Sequence, residues 1–226
     1  MNKKFAILFD MDGVIVDSNP YHKAALVQFC EQHGYHLTDA ELRQKIYGRT
    51  NKEWITNLFD GQVTPAQVAQ YADEKEALYR QLYQHDIVAV PGLPGFLAEL
   101  AAGGVPLAIA TSAPRANVDF TLGKTGLGQY FDIILDDSFV EHGKPNPEIY
   151  LKTAAAVGFA PADCVVFEDS IAGVRAGKAA GCRVVAIGTT HTREELPEAD
   201  LYVPDFQGLT IAAMLEGLGR GNSPGF

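Results

Sequence analysis

Phe9-Asp10-Met11-Asp12-Gly13-Val14, directly after the apolar run Phe5-Ala6-Ile7-Leu8, decides how this chain is read. A short buried strand ends on two carboxylates one residue apart, beside a glycine. Successive strand residues face opposite ways, so the spacing predicts that Asp10 and Asp12 share a side while Met11 points away. Two carboxylates held together repel unless a cation or a shared proton relieves them. The stretch reads either as a hard divalent metal beside a carboxylate nucleophile or proton carrier, or as a strand end closed by solvated aspartates.

Outward from it, further short apolar runs read as buried parallel strands: Leu107–Ala110, Ile133–Leu135, Cys164–Phe167, Val184–Ile187 and Leu201–Val203. Helical patterns separate most of them. Asn146-Pro147-Glu148 opens a helix that closes near Gly158. Ser170 to Ala180 is a second helix, with Gly181 as its stop and small residues at Ala172, Gly173, Ala176, Gly177 and Ala180 that let it lie close on a sheet. The alternation predicts an α/β fold with a parallel sheet.

From about Asn19 to Asp86 no strand pattern occurs. Asn19-Pro20 reads as an N-cap followed by proline, and Leu26, Phe29, Cys30 and His33 keep helical spacing. Thr38-Asp39-Ala40-Glu41 and Thr64-Pro65-Ala66-Gln67 have the form of capping boxes. Val68, Tyr71, Ala72, Lys75, Leu78, Tyr79 and Leu82 mark one helix face. The expected organisation is therefore an α/β core domain from residues 1–17 and 87–226, interrupted by an all-helical cap domain at 18–86. The tail Gly219–Phe226 is expected to fray.

Composition narrows the function. The 226 residues carry 47% hydrophobic and 20% charged residues, in the globular range. A net charge of −10 argues against a general nucleic-acid or anionic-membrane binder, because no basic surplus exists to neutralise phosphates. A small phosphorylated partner remains compatible, since local lysines, backbone N–H groups and a metal outweigh the global sign. Cys164 and Cys182 lie in or beside apolar runs, and the three cysteines suit neither a disulfide framework nor a zinc site. Met1-Asn2-Lys3-Lys4 leads into only five apolar residues, too few for a signal peptide or a membrane span. A reducing cytoplasm is the expected compartment. The oligomeric state is open and compatible with a monomer.

Four groups sit at or soon after carboxyl ends of predicted strands, where open parallel sheets bind ligands: Asp10 and Asp12, Thr111-Ser112, Lys144 in Gly143-Lys144-Pro145-Asn146-Pro147, and Glu168-Asp169-Ser170. Each has a plainer alternative as a turn residue, a solvated loop charge or a helix cap. Together they suit phosphoryl transfer to a carboxylate, which needs a metal, donors for the equatorial oxygens and a group to protonate the leaving oxygen. Asp10 is the candidate nucleophile and a metal ligand. Asp12 offers its backbone carbonyl to the metal and its side chain as general acid and then base. Asp169 supplies another carboxylate, and Mg²⁺ fits such an oxygen-rich site. Glu168 ligates directly, through water, or only from behind the ligands. Lys144 is expected to contact both the nucleophile and a phosphate oxygen. Thr111 offers its hydroxyl and its backbone N–H to the phosphate, and Ser112 its backbone.

These motifs, in this order, resemble the haloacid dehalogenase superfamily. Phe9 to Val14 matches the first motif, Thr111 the second, Lys144 the third and Glu168-Asp169 the fourth. The resemblance implies a flavodoxin-like core, Mg²⁺ and an aspartyl-phosphate intermediate. The helical insert is similar to the four-helix cap of the β-phosphoglucomutase-like and phosphoglycolate-phosphatase-like branch, and Asp12 resembles the acid/base of its phosphatases and mutases.

Within that branch, Tyr21-His22 resembles a cap hinge, with His22 either coupling cap closure to Asp12 or simply lying in a first helical turn. Arg49, in Gly48-Arg49-Thr50, falls where the cap of such proteins faces the substrate. It either forks around a phosphate or carboxylate or is structural. Mutases place an arginine two positions further on, where this chain has Asn51. They also carry Ser-Lys-Asn or Ser-Arg-Asn after the second motif, where this chain has Ser112-Ala113-Pro114-Arg115-Ala116-Asn117; Arg115 could substitute for the missing grip. The expected function is a Mg²⁺-dependent phosphatase acting on a small phosphorylated metabolite, a sugar phosphate above all. β-Phosphoglucomutase is the alternative, and a non-catalytic phosphometabolite binder is the third reading.

Overall fold

The computed structural model describes residues 5–46 and 50–220. The chain divides into two units, one formed by Met1–Asp17 with Ile87–Phe226 and the other by Ser18–Asp86. Strand β1 (Ala6–Phe9) opens the first unit and is buried along its whole length.

The second unit is helical among its described residues: α1 (Asn19–Gln32), α2 (Asp39–Lys45), α3 (Asn51–Leu58) and α4 (Pro65–Tyr83). The start of α1 lies one residue earlier than its sequence suggests. Ser18 is the N-cap residue and Asn19 already belongs to the helix. Capping boxes open the other three helices. Thr38 pairs with Glu41 and Thr64 with Gln67, and a third box joins Thr50 to Glu53. Helix α4 packs along α1 through aromatic faces: His22 stacks on Tyr79 with ring centroids 3.8 Å apart, and Tyr21 on Tyr83 at 4.1 Å. The buried face of α4 includes Glu76 and Tyr83 as well as Lys75, Leu78 and Tyr79. Glu76 escapes a hydrophobic count because its charge is matched inside the unit, where Lys75 Nζ donates to its Oε1 at 2.8 Å.

The chain then alternates: α5 (Leu93–Ala102), β2 (Leu107–Ala110), α6 (Arg115–Thr125), β3 (Ile133–Leu135), α7 (Glu148–Val157), β4 (Cys164–Glu168), α8 (Ile171–Ala179), β5 (Arg183–Ile187), β6 (Leu201–Val203) and α9 (Ile211–Arg220). Pro147 is the N-cap residue of α7 and Gly158 its left-handed C-cap. Gly219 and Arg220 close α9, and residues 221–226 of the expected frayed tail lie outside the described residues. No helix of the described residues is long and apolar enough to cross a membrane.

All strand pairs are parallel, in the order β3-β2-β1-β4-β5-β6. Phe9 lies opposite Ile109 on one side and Phe167 on the other. Alternation along β1 sends Ala6 and Leu8 into a core shared with Tyr150 of α7 and Val174 of α8. Phe9 joins an aromatic cluster with Phe167, Phe96 and Phe206, the Phe9–Phe167 pair stacked at 5.1 Å. Such pairs add about 0.5–1.5 kcal/mol each beyond the area they bury. The chain leaves β1 for β2 and β3 on one side and returns to β4 on the other. The order therefore reverses between β1 and β4, and the crevice at their carboxyl ends is where this class of sheet binds ligands.

Candidate active site

β1 ends at Phe9, so Asp10 and Asp12 are not successive strand positions and their placement does not follow from strand alternation. Asp10 still joins the sheet through its N–H, which donates to Phe167 O at 3.0 Å. After it the chain turns tightly. Ile15 N–H returns to Met11 O at 2.8 Å and Gly13 N–H to Val16 O at 2.7 Å. Gly13 has φ +84°, and a Cβ there would collide with the Asp169 carboxylate. Only glycine lets this turn close against the residue that follows β4. Asp10 is buried and Asp12 half-buried.

Asp10, Glu168 and Asp169 each bring a carboxylate oxygen within 4.8 Å of the others. Lys144 Nζ faces them. It donates to Asp10 Oδ1 at 2.7 Å, to Glu168 Oε1 at 2.6 Å and to Ala110 O at 3.2 Å. Those three bonds hold the ammonium beside Asp10, the candidate nucleophile. It is held as a counter-charge.

Glu168 is fully buried. Its Oε1 accepts from Lys144 and from Tyr150 Oη at 2.6 Å. Its Oε2 accepts from Asp169 N at 3.0 Å, Ser170 N at 3.2 Å and Ser170 Oγ at 3.1 Å. Five donors saturate a carboxylate with about four lone-pair directions. The first turn of α8 presses against it, because a Cβ on Gly173 would collide with the same group. Asp169 is 3% exposed, and Thr190 Oγ1 donates to its Oδ2.

The electrostatics follow from three buried carboxylates sharing one ammonium. Burial raises the pKa of Asp10 well above the usual carboxylate value, opposed by Lys144 and reinforced by Glu168, Asp169 and Asp12. Burial and Glu168 push Asp169 up to about 7, against the Thr190 hydrogen bond and Lys144. Glu168 resists burial because of Lys144 and its other donors, and its pKa is lowered. For Lys144, burial disfavours the charge, but Asp10 and Glu168 outweigh it and the pKa rises. Ionised together, the group carries two negative charges in excess, which is the charge of one divalent cation. All-oxygen donors and that excess fit Mg²⁺.

Thr111 follows β2 and is buried, but its N–H is spent on Leu135 O at 3.0 Å. This corrects the expectation that the amide serves a phosphate. The hydroxyl oxygen accepts from Ala113 N at 3.0 Å and keeps its proton to donate. Ser112 is exposed. Arg115 lies at the start of α6 in an exposed i,i+4 pair with Asp119, Nε to Oδ1 2.8 Å. Within the helical unit, His22 Nδ1 sits 2.9 Å from Lys75 Nζ. Arg49 lies outside the described residues. Sequence reasoning did not reach Tyr150, Thr189 and Thr190. The position of Thr189-Thr190 just past the carboxyl end of β5 is the signal that leads to the latter two.

The chain is similar to several proteins of known name. Validoxylamine A 7'-phosphate phosphatase of Streptomyces hygroscopicus subsp. limoneus is 33% identical over 88% of this chain and 92% of its own length. Hexitol phosphatase A of Escherichia coli is 33% identical over 93% and 95%. The chain spans about half (48%) of the bifunctional riboflavin kinase/FMN phosphatase of Arabidopsis thaliana, at 32% identity over 80% of this chain. The crystal structure of β-phosphoglucomutase from Clostridium difficile superposes with a TM-score of 0.83, at 25% identity over 96% of this chain and 98% of that one. The model of the haloacid dehalogenase-like hydrolases matches residues 6–181. With that match across most of the sheet and all four carboxyl-end groups, the chain belongs to the haloacid dehalogenase-like hydrolase family.

Proposed function

We propose that this enzyme is a Mg²⁺-dependent phosphatase that hydrolyses a small phosphorylated metabolite, a sugar phosphate in particular, through an aspartyl-phosphate on Asp10. The observation that carries the reading is the buried carboxylate cluster with Lys144 Nζ 2.7 Å from Asp10 Oδ1. A carboxylate held that way is oriented for attack. Asp10 forms a bond to phosphorus as the bond to the leaving oxygen breaks. Asp12 delivers a proton to that oxygen, then takes one from the water that hydrolyses the acyl phosphate. Thr111 donates its hydroxyl proton to a phosphate oxygen, beside the Ser112 amide. Mg²⁺, held by Asp10, Asp169 and the Asp12 carbonyl, supplies charge neutralisation and Lewis acidity when bound. Glu168 supports from behind, since its oxygens are already occupied. His22 and Arg49 are proposed as cap contributions to substrate binding.

Phosphatase is favoured over mutase by three points. Two relatives matched over nearly their whole length are named as phosphatases, one for hexitols and one for validoxylamine A 7'-phosphate. Arg115, the substitute grip, is paired with Asp119 at the surface. Asn51, at the place of the mutase arginine, is tied into its own unit, accepting from Trp54 Nε1 at 2.9 Å. The test is product analysis with Mg²⁺ on sugar phosphates, nucleotides, phosphoglycolate and pyrophosphate. β-Glucose 1-phosphate with a trace of the bisphosphate belongs in the same panel. Steady release of inorganic phosphate from a sugar monophosphate, abolished by EDTA, is expected. Rapid isomerisation of β-glucose 1-phosphate to glucose 6-phosphate with little free phosphate would establish the mutase instead.

A second expectation concerns pH. In the metal-free protein Asp169 titrates near 7, against about 3.8 when unfolded. Between those values the folded state holds a proton that the unfolded chain has released, so stability falls as pH rises through the window. Asp10 shifts in the same direction. Mg²⁺ binds the ionised pair and competes with those protons. The melting temperature in EDTA should therefore decline from pH 5 to pH 8, and the increment added by Mg²⁺ should grow over the same range. An increment that is constant, or larger at pH 5, contradicts the assignment.

A further inference from the structure

We propose that Thr190 is a positioning residue for the metal site, setting the rotation of the Asp169 carboxylate so that its second oxygen meets the cation. The inference rests on the reading of Asp169 as a ligand. A carboxylate turns freely about its Cβ–Cγ bond, and a hydrogen bond to one oxygen fixes where the other points. Thr190 Oγ1 donates to Asp169 Oδ2, the same oxygen that leans over Gly13. Ser170, the hydroxyl nearest in sequence, is committed elsewhere: its Oγ donates to Glu168 Oε2 and accepts from Gly173 N at 3.0 Å. The two neighbouring carboxylates thus draw on separate supports.

The loop that carries Thr190 is itself anchored to the metal side. Gly188 N–H donates to Val203 O at 2.9 Å, which fixes where the chain leaves β5. Thr189 Oγ1 donates to Gly13 O at 2.5 Å. Beyond Thr190, Tyr202 Oη donates to His191 O at 3.3 Å, and Thr192 N–H to Glu195 Oε2 at 2.9 Å. One dipeptide, Thr189-Thr190, therefore touches both the turn that carries Asp12 and the carboxylate of Asp169. A tether between those two places keeps the donor set in one geometry, which a small octahedral cation demands. Thr190 itself is exposed, so replacing it opens no cavity in the core.

The experiment is a calorimetric Mg²⁺ titration of the full chain, without substrate, on wild type and on Thr190→Val, Thr190→Ser and Asp169→Asn. Loss of a hydrogen-bond partner behind a metal ligand typically weakens metal binding about 10–100-fold. Thr190→Val should weaken Mg²⁺ binding by about that factor, and Thr190→Ser, which keeps the hydroxyl, should bind like wild type. In turnover assays the valine variant should need proportionately more Mg²⁺ for half-activation yet approach the wild-type kcat when saturated. A residue that only packs the loop would show neither the serine rescue nor that split. Thr190→Ala replaces the valine variant if the latter does not fold. Wild-type Mg²⁺ affinity in Thr190→Val, with binding lost in Asp169→Asn, overturns this inference alone. Undiminished binding in Asp169→Asn overturns the assignment of the site and the inference with it.

Discussion

Replacing Asp10 with asparagine should reduce turnover to near the uncatalysed background while the protein stays folded. Asparagine has the same shape, and the backbone bond from residue 10 to Phe167 O does not depend on the side chain. The change gives up the ion pair with Lys144 Nζ at 2.7 Å but also removes one negative charge from a buried group that carries two in excess, and Glu168 still holds the ammonium, so the metal-free fold survives. What disappears is the nucleophile, because an amide oxygen does not form the acyl phosphate. Removing a covalent nucleophile costs on the order of 10⁴-fold or more in kcat. Asp12→Asn leaves the attacking group in place and removes proton transfer, a smaller loss of about 10²–10⁴-fold. Phosphate release and mass spectrometry of acid-quenched enzyme separate the two variants. Ordinary activity in Asp10→Asn would sink the covalent mechanism.

Why so much of this was legible in the sequence is a matter of burial. Strands covered on both faces must be apolar throughout, so Leu107–Ala110 and Cys164–Phe167, both buried along their length, stand out as short uninterrupted runs. Their carboxyl ends are then known, and chemistry-bearing residues just beyond them become candidates. Capping boxes are equally legible because they are local. What stayed hidden depends on contacts between distant segments. The Asp10–Asp12 relation comes from a turn around Gly13, not from strand alternation. The saturation of Glu168 needs Tyr150, eighteen residues earlier in the chain, whose Oη donates to it at 2.6 Å. The amide of Thr111 is consumed by β3, a pairing that no local pattern reveals. Glu76 is a charged residue off the helical stripe, yet it is buried beside Lys75, whose Nζ donates to its Oε1 at 2.8 Å.

Lys144→Met should be the most damaging change to stability at this site when metal is absent. The lysine side chain is 8% exposed and is the cation facing Asp10 and Glu168. Methionine fills similar space without the charge, leaving the carboxylates buried and mutually repelling. Breaking a buried ion pair by removing one partner costs about 3–5 kcal/mol. Two conditions should relieve the deficit, and each identifies its cause. Mg²⁺ restores positive charge beside the same oxygens, so the loss measured by urea unfolding should shrink when Mg²⁺ replaces EDTA. Acid relieves it as well. Without the ammonium the folded carboxyls hold their protons to still higher pH, so the variant gains on wild type as pH falls from 8 to 5. A packing defect would respond to neither. If Lys144→Met in EDTA at pH 8 unfolds at the same urea concentration as wild type, the ammonium is not what keeps this carboxylate cluster buried, and its role is confined to catalysis.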